Sequence, residues 1–465
     1  MTHHSPGAEQ SGGIPVGSDE GDRRLLVAVA GALAFVAMLD MNIVNVALAD
    51  IADGLHVSAA TAQWAVLAYQ LPVVALLLPV GRWLDGVGTR PAVLTATAGF
   101  ALCSALTAVA PWTAWLVAAR FAQGACGAVL FVLMPVLALR SVRPELRGRA
   151  MSVPATLGPL GAVTGPAVGG LLLDHLGWRS VFLVKIPFCV LALVVARRAM
   201  PKDGRLRAPD RRSLADALLV ATGVAALLLA STLAVDATPW LLLALTAVPP
   251  LWWWLRGPGG RPVTDALRSA GLLWTHGAVL TSAIGFAAMH YVVALHLQRD
   301  DGVSATTTGL TVLAFPLAMG LAGPLGGRLA DRYGARPVAV AGAALTAAAL
   351  LLLLPLHDGW TPVDVAWRMA LGGIGMGLNG GPTQALVMSA APPDRTATVG
   401  STVQLARSLG FTVGPALATA AWALTDAARA GLALAATAAC LAVPQLALSG
   451  RRRTPRPEQT ATAHH

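Results

Sequence analysis

From about residue 25 to residue 448 the chain is a succession of apolar runs of helix length, broken by short stretches rich in arginine, aspartate, proline and glycine. No other feature constrains the fold as much. The hydrocarbon core of a bilayer, about 30 Å thick, is crossed by about 20 apolar residues in a helix. Backbone groups in lipid are satisfied only inside helices or closed barrels. Hydrophobic residues make up 55% of the chain and charged residues 12%, too few charges to cover a water-exposed surface, for which soluble domains use roughly 25%. The expectation is an all-α integral membrane protein with fourteen spans, at 25–49, 61–80, 92–110, 113–139, 150–173, 179–197, 214–234, 239–255, 271–297, 306–326, 337–356, 364–390, 397–424 and 428–448.

The net charge of +10 is topological. Its arginines fall in alternate gaps: Arg82 and Arg90, Arg140 to Arg149, Arg197 to Arg212, Arg256 to Arg268, Arg328 to Arg336, and Arg395, with Arg451–Arg453 after the last span. The opposite gaps are acidic or neutral apart from Arg299. Loops on the cytoplasmic side carry the excess of basic residues, so both termini are expected in the cytoplasm of a cell whose plasma membrane the chain crosses many times, and no nucleic-acid partner is expected. Cys103, Cys126, Cys189 and Cys440 sit in apolar runs without CxxC spacing and read as packing residues rather than ligands. Polar residues 1–22 precede Arg23-Arg24 and the first run shows no cleavage pattern, so it is expected to stay as a helix.

The chain is duplicated. Gly81-Arg82-Trp83-Leu84-Asp85-Gly86-Val87-Gly88-Thr89-Arg90-Pro91 recurs as Gly327-Arg328-Leu329-Ala330-Asp331-Arg332-Tyr333-Gly334-Ala335-Arg336-Pro337. Similar offsets relate Arg120 to Arg368 and Gly165-Pro166 to Gly414-Pro415; landmarks that keep one spacing mark a repeated half. The offset is too long for six spans alone and leaves room for two more. The expected organisation is a tail (1–22), a six-helix half (23–200), a connector with two linker helices (201–265), a second six-helix half (266–448) and a basic tail (449–465). In each turn the glycines (Gly81, Gly88, Gly327) are expected to let the chain reverse. Asp85 is expected either to cap the following helix or to pair with arginine across the halves.

Several polar residues stand inside apolar runs. Asp40, with Asn42 and Asn45, lies in the first; a carboxylate at mid-membrane costs about 2.5–3.5 kcal/mol on insertion scales and is functional by default. Either it faces the bundle and exchanges a proton, or it sits solvated near the outer interface. Arg120 and Gln123 open the fourth span, and Arg120 is a fixed cation that either serves the same site or reaches out to the helix end. Lys185 in the sixth span either binds an anionic group, pairs with Asp40, or reaches the outer interface. His290 and His296 lie six apart, off metal-binding spacing, and read as cavity or interfacial groups. Gly161, Gly165 and Gly169 repeat every fourth residue, with Pro166 and Gly170 beside them, a groove of bare backbone with a bend. In the thirteenth span Gln404, Arg407 and Gly410 to Pro415 echo this stretch, with Ala418 in place of the final glycines, and a packing role is expected there.

The repeated turn resembles the loop between the second and third helices of major facilitator superfamily transporters. Arg120 followed by Gln123-Gly124 resembles their fourth-helix motif, and Gly161 to Gly170 the fifth-helix Gly-Pro signature of antiporters. Trp178-Arg179-Ser180-Val181-Phe182-Leu183-Val184-Lys185-Ile186-Pro187 resembles the sixth-helix start of the drug-exporting branch, where asparagine usually stands at the position of Lys185. The resemblance spans residues 25 to 448 and implies the fourteen-helix drug:proton antiporter branch. Its fold relates two halves about an axis along the membrane normal, with the transport site between them. It also implies a proton-transfer role for Arg120 with Gln123 in hydrogen-bonding support; the residues themselves make Asp40 the expected proton-coupling partner of Arg120, and Asn42, Asn45, Gln123, Lys185 and His290 the candidates for a substrate cavity. The implied partners are an amphipathic or cationic small molecule, protons and the bilayer, with the chain acting as a monomer and without a cofactor or metal. A narrow-specificity exporter of a metabolite or natural product is the alternative. A membrane enzyme would need HExxH, GxSxG or clustered mid-membrane Asp/His, and an ATP-driven pump a Walker A loop; the sequence contains none of these.

Overall fold

The computed structural model describes residues 20–208, 211–233, 238–269, 272–357, 359–425 and 428–449. The polar segment before residue 20 and Arg451–Arg453 lie outside the described residues. The helices that fall on the expected spans are α1 (Glu20–Val46), α2 (Trp64–Asp85), α3 (Thr89–Ala108), α4 (Thr113–Arg140), α5 (Arg147–Leu176), α6 (Ile186–Ala199), α7 (Arg211–Leu233), α8 (Val248–Arg256), α9 (Leu273–Arg299), α10 (Ala305–Tyr333), α11 (Ala335–Leu353), α12 (Pro362–Ala390), α13 (Thr396–Thr425) and α14 (Ala428–Leu448). Among the described residues, ten helical segments are long and apolar enough to cross a membrane. The expected spans outside those ten coincide with α7, α8, α12 and α13. The 29 residues of α12 and 30 of α13 exceed a bilayer's needs, but glycine, serine and threonine dilute their apolarity.

Three differences from the sequence expectation have local causes. The eighth span begins as a 3-10 segment, Thr238–Ala247, and becomes α-helical only at Val248, where Pro249 and Pro250 fit the first turn, whose N–H groups have no intrahelical acceptor. The sixth is divided into Ser180–Leu183 and α6, because Pro187 at the second position of α6 restricts the residue before it and removes a donor; Lys185 stands at that junction. The glycine-rich turns are mostly helical: α2 runs to Asp85 and α3 starts at Thr89, while in the second copy only Gly334 separates α10 from α11. Gly81 and Gly327 lie within α2 and α10 and do not reverse the chain, whereas Gly88 lies in the short connection between α2 and α3, in an extended conformation. A Cβ on Gly81 would meet Ser401 and Ala397, and one on Gly88 would meet Asp203, so they allow close approach. Gly334, at φ +92°, is the glycine that needs a left-handed backbone.

Packing follows the duplication. In the first half α1 lies on α5, α2 on α4, and α3 between α4 and α6; in the second α9 lies on α13, α10 on α12, and α11 between α12 and α14. Small residues make these seams, since helices in lipid gain from close backbone contact rather than from an aqueous hydrophobic drive. Gly161, Gly165 and Gly169 face Phe35, Asn42 and Ile43 of α1, and Gly410 and Gly414 face Leu280 and Ile284 of α9 in the same way. Gly170 has nothing within 4 Å of where its Cβ would stand. Replacing Gly161 by leucine is thus expected to cost about 1–3 kcal/mol and to lower the melting temperature of the purified protein. Gly170→Leu is expected to leave it unchanged, and equal effects at both positions would show that the seam does not hold α1 to α5.

The halves meet through α2 with α13 and α5 with α10, pairs that the duplication exchanges. Along α5 the contacts pair Gly148 and Ser152 with Gly327, and Thr156 with Gly323. The halves are therefore closed at the arginine-rich ends of these helices. Helix α7 packs against α2 through Val220, Val224, Val74 and Leu78, beside the first half.

Candidate functional site

Three helices converge on the carboxylate of Asp40. Arg120 on α4 donates from Nη1 to Oδ2 at 2.7 Å, and Gln123, one turn further on, approaches Oδ1 through Nε2 at 3.4 Å. Lys185, at the junction before α6, donates from Nζ to Oδ1. Arg120 also donates through Nε to the Ala65 carbonyl at 2.7 Å and through Nη1 to Gln123 Oε1 at 2.9 Å, while Gln123 donates to Ser104 Oγ at 3.0 Å. The Arg120 guanidinium lies 4.4 Å from the centroid of the Tyr69 ring, and the Lys185 ammonium 5.1 Å from that of Phe182. Asp40 and Lys185 are 0% exposed and Arg120 1%. One carboxylate and two cations thus share a site sealed from water, where a charge is sustained only by paired and hydrogen-bonded neighbours. Of the three roles open to Lys185, the structure places it against Asp40. Arg120 and Asp40 both point inward.

Beside this cluster a cavity of about 560 Å3 lies between the halves. Its wall carries Met38 and Met41 of α1, Met134 of α4, Met151 of α5, Met319 of α10 and Met376 of α12, flexible and polarisable surfaces that adapt to ligands of different shape. Phe131, Phe286 and Phe411 add flat apolar faces. The polar wall groups include Asn42, Gln70, Gln384, Gln404 and Arg407.

Of the residues expected to line a cavity, Asn42 does so, with its amide donating to the Met38 carbonyl at 2.9 Å. Gln123 and Lys185 instead complete the buried cluster and do not line the cavity. Asn45 is exposed and donates to Met41 O at 3.4 Å. His290 is packed in an aromatic group, 4.2 Å from the Phe286 ring and 5.1 Å from Phe315 between centroids, and Phe286 rather than His290 reaches the cavity wall. His296 pairs with Asp300 at 2.6 Å near the opposite end of α9. Gln404 and Arg407, expected only to pack, line the cavity. Their sequence signal was the echo of the fifth span; which way they face depends on how α13 is turned, and spacing within one helix does not fix that.

The repeated aspartates act across the halves. Asp85 accepts from Ala397 N at 2.8 Å, Thr398 N at 3.0 Å and Thr398 Oγ1 at 2.5 Å. Asp331 accepts from Gly148 N at 2.9 Å and pairs with Arg149 Nε at 3.4 Å. Each thus occupies the first turn of the long helix opposite, α13 or α5, where N–H groups lack intrahelical acceptors and the helix dipole favours an anion. The expected alternatives for Asp85, capping the following helix or pairing with arginine, give way to this cross-half cap. Asp203 of the connector takes the neighbouring role, accepting from Thr89 N at 2.7 Å and Arg90 N at 2.8 Å. Arg82 pairs with Asp216 of α7 at 2.5 Å, Arg90 donates to Arg197 O at 2.8 Å, Arg336 donates to Ala447 O, and Arg328 is exposed. The duplication is broken at Arg368, which stacks on Trp360 and Trp367 at 3.8 and 4.3 Å, whereas Arg120 is bound to a buried carboxylate.

The chain is 29% identical to the multidrug resistance protein Stp of Mycobacterium tuberculosis over 84% of its length and 74% of that protein's. It is 28% identical to the methyl viologen resistance protein SmvA of Salmonella typhimurium over 85% and 82%. Its fold resembles that of the human organic anion transporter MFSD10, with a TM-score of 0.64 and 17% identity over 92% of this chain and 99% of that one. The model of the Major Facilitator Superfamily matches residues 30–257 and 275–464. A family match over most of the chain, on helices paired twice in the same order around a central cavity, makes this protein a member of the Major Facilitator Superfamily, a multi-pass membrane transporter rather than an enzyme.

Proposed function

We propose that the protein is a proton-coupled antiporter that exports amphipathic small molecules by alternating access, with two six-helix halves (23–200 and 266–448), a connector carrying two linker helices (201–265) and fourteen spans. The arginine-rich side and both termini face the cytoplasm, so the present state is closed to the cytoplasm. Export is supported by the relatives named for multidrug and methyl viologen resistance.

The observation that carries the coupling is the sealed Asp40 carboxylate held by Arg120 and Lys185. A proton arriving on Asp40 removes the anion that both cations share and loosens α1 from α4 and α6. Helix α1 is seamed by glycines to α5, whose far end carries the cap from Asp331. Movement at Asp40 thereby reaches the cytoplasmic closure through packed helices. Accumulation of the amphipathic dye 8-anilinonaphthalene-1-sulfonate in cells expressing the protein, with and without an uncoupler, tests this reading. Accumulation is expected to fall on expression and to recover when the proton gradient is dissipated; a fall that survives the uncoupler would overturn proton coupling.

A further inference from the structure

The charge in the cavity is of one sign. Among the described residues that line it, Arg407 is the only charged side chain and no carboxylate is present. The one acidic group near the middle of the first half, Asp40, is turned away from the cavity with both its oxygens engaged by Arg120, Gln123 and Lys185. Arg407, half-buried on α13, donates from Nη2 to Gln384 Oε1 at 3.3 Å, a neutral acceptor that leaves its charge uncompensated. A second observation points to the same place. Gln384 on α12 is 5% exposed and its Nε2, buried, has no hydrogen-bond partner. A cation without a counter-anion and a buried donor without an acceptor both lack what an anionic ligand supplies.

We propose that this cavity takes amphipathic anions: an apolar, preferably aromatic body against the methionine and phenylalanine wall, with a carboxylate, sulfonate or phenolate oxygen on Arg407 and Gln384. A guanidinium beside an amide N–H presents a fork that a planar oxyanion fills with charge-assisted bonds. A cationic ligand meets the opposite situation, since the wall offers it aromatic faces and amide oxygens but no carboxylate, and Arg407 repels it. The inference rests on the export reading for its direction of transport, but the binding preference stands apart from energy coupling.

The test uses the purified full-length protein and a matched pair of probes, 1-pyrenebutyrate and 1-pyrenebutyl-trimethylammonium, which share an aromatic body and differ in the sign of charge. Equilibrium binding is expected to favour the carboxylate by about tenfold or more. Arg407→Gln is expected to abolish that preference and Arg407→Lys, which keeps the charge, to retain most of it. Gln384→Leu is expected to weaken the carboxylate alone. Equal binding of the two probes by the wild type, tighter binding of the cation, or an anion preference that survives in Arg407→Gln would each overturn the proposal. In proteoliposomes an imposed proton gradient is expected to drive the carboxylate. Anion-selective binding without gradient-driven movement would overturn proton-coupled export while leaving the anion site standing.

Discussion

Asp40→Asn is expected to abolish proton-driven export and also to destabilise the protein, because it removes the only anion from a site that buries two cations. Arg120 would keep its bonds to Ala65 O and Gln123 Oε1, but Lys185 would lose its acceptor carboxylate. Removing one member of a buried ion pair costs about 3–5 kcal/mol, enough to depress expression and melting temperature before transport is considered. The loss of stability and the loss of coupling are separable. Lys185→Asn, which leaves Asp40 with Arg120 and places an amide where the branch usually has one, is expected to fold and to retain gradient-driven export. The double variant Asp40→Asn with Lys185→Asn carries one buried cation instead of two and is expected to regain much of the stability lost by Asp40→Asn without regaining export. Melting temperatures of the purified variants, set beside uptake into inverted vesicles energised by a pH gradient, read the two effects independently. Gradient-driven concentration of substrate by the double variant would show that the proton travels without Asp40.

How much of this was legible in the chain differs from element to element. Ten of the expected spans were, because length and apolarity decide what can cross a bilayer, while those at α7, α8, α12 and α13 fall outside that measure. A shared site for Asp40 and Arg120 was one of two readings left open for each, because a charge inside an apolar run either pairs within the bundle or reaches the interface. Lys185 was left open between three roles, since its place depends on the break that Pro187 imposes on the sixth span. The cavity was legible only in part. Gln123 and Lys185 face the cluster and Arg407 faces the ligand space, and this depends on helix rotation, which adjacent apolar residues on every side leave unspecified. His290 was placed by its neighbours: Phe286, one turn before it on α9, and Phe315 of α10 enclose it, and the contact to α10 is one that no spacing within either helix announces. The repeated turn was legible as a device but not as a mechanism, because its partners are backbone N–H groups, which carry no sequence signature.

Those partners lead to the second large effect. Asp85 and Asp331 each hold the first turn of a helix in the opposite half, so Asp85→Asn with Asp331→Asn is expected to open the arginine-rich side. An asparagine keeps one acceptor oxygen but loses the charge that the helix dipole favours, and presents an N–H where a second acceptor stood. Losses at helix N-caps are typically about 1 kcal/mol; two such losses on one closed state shift its equilibrium by on the order of twenty- to thirtyfold, with tenfold for every 1.4 kcal/mol. Thr156 reports the shift, since it is pressed against Gly323 where α5 meets α10. With Cys103, Cys126, Cys189 and Cys440 replaced by alanine, Thr156→Cys in inverted vesicles is expected to react slowly with an impermeant maleimide. The rate should rise by that factor when both aspartates are changed, and by a smaller, similar factor when either is changed alone, because the duplication gives the two caps equivalent positions. Unaltered labelling in the double variant would mean that the helix seams, and not the paired caps, hold the halves closed.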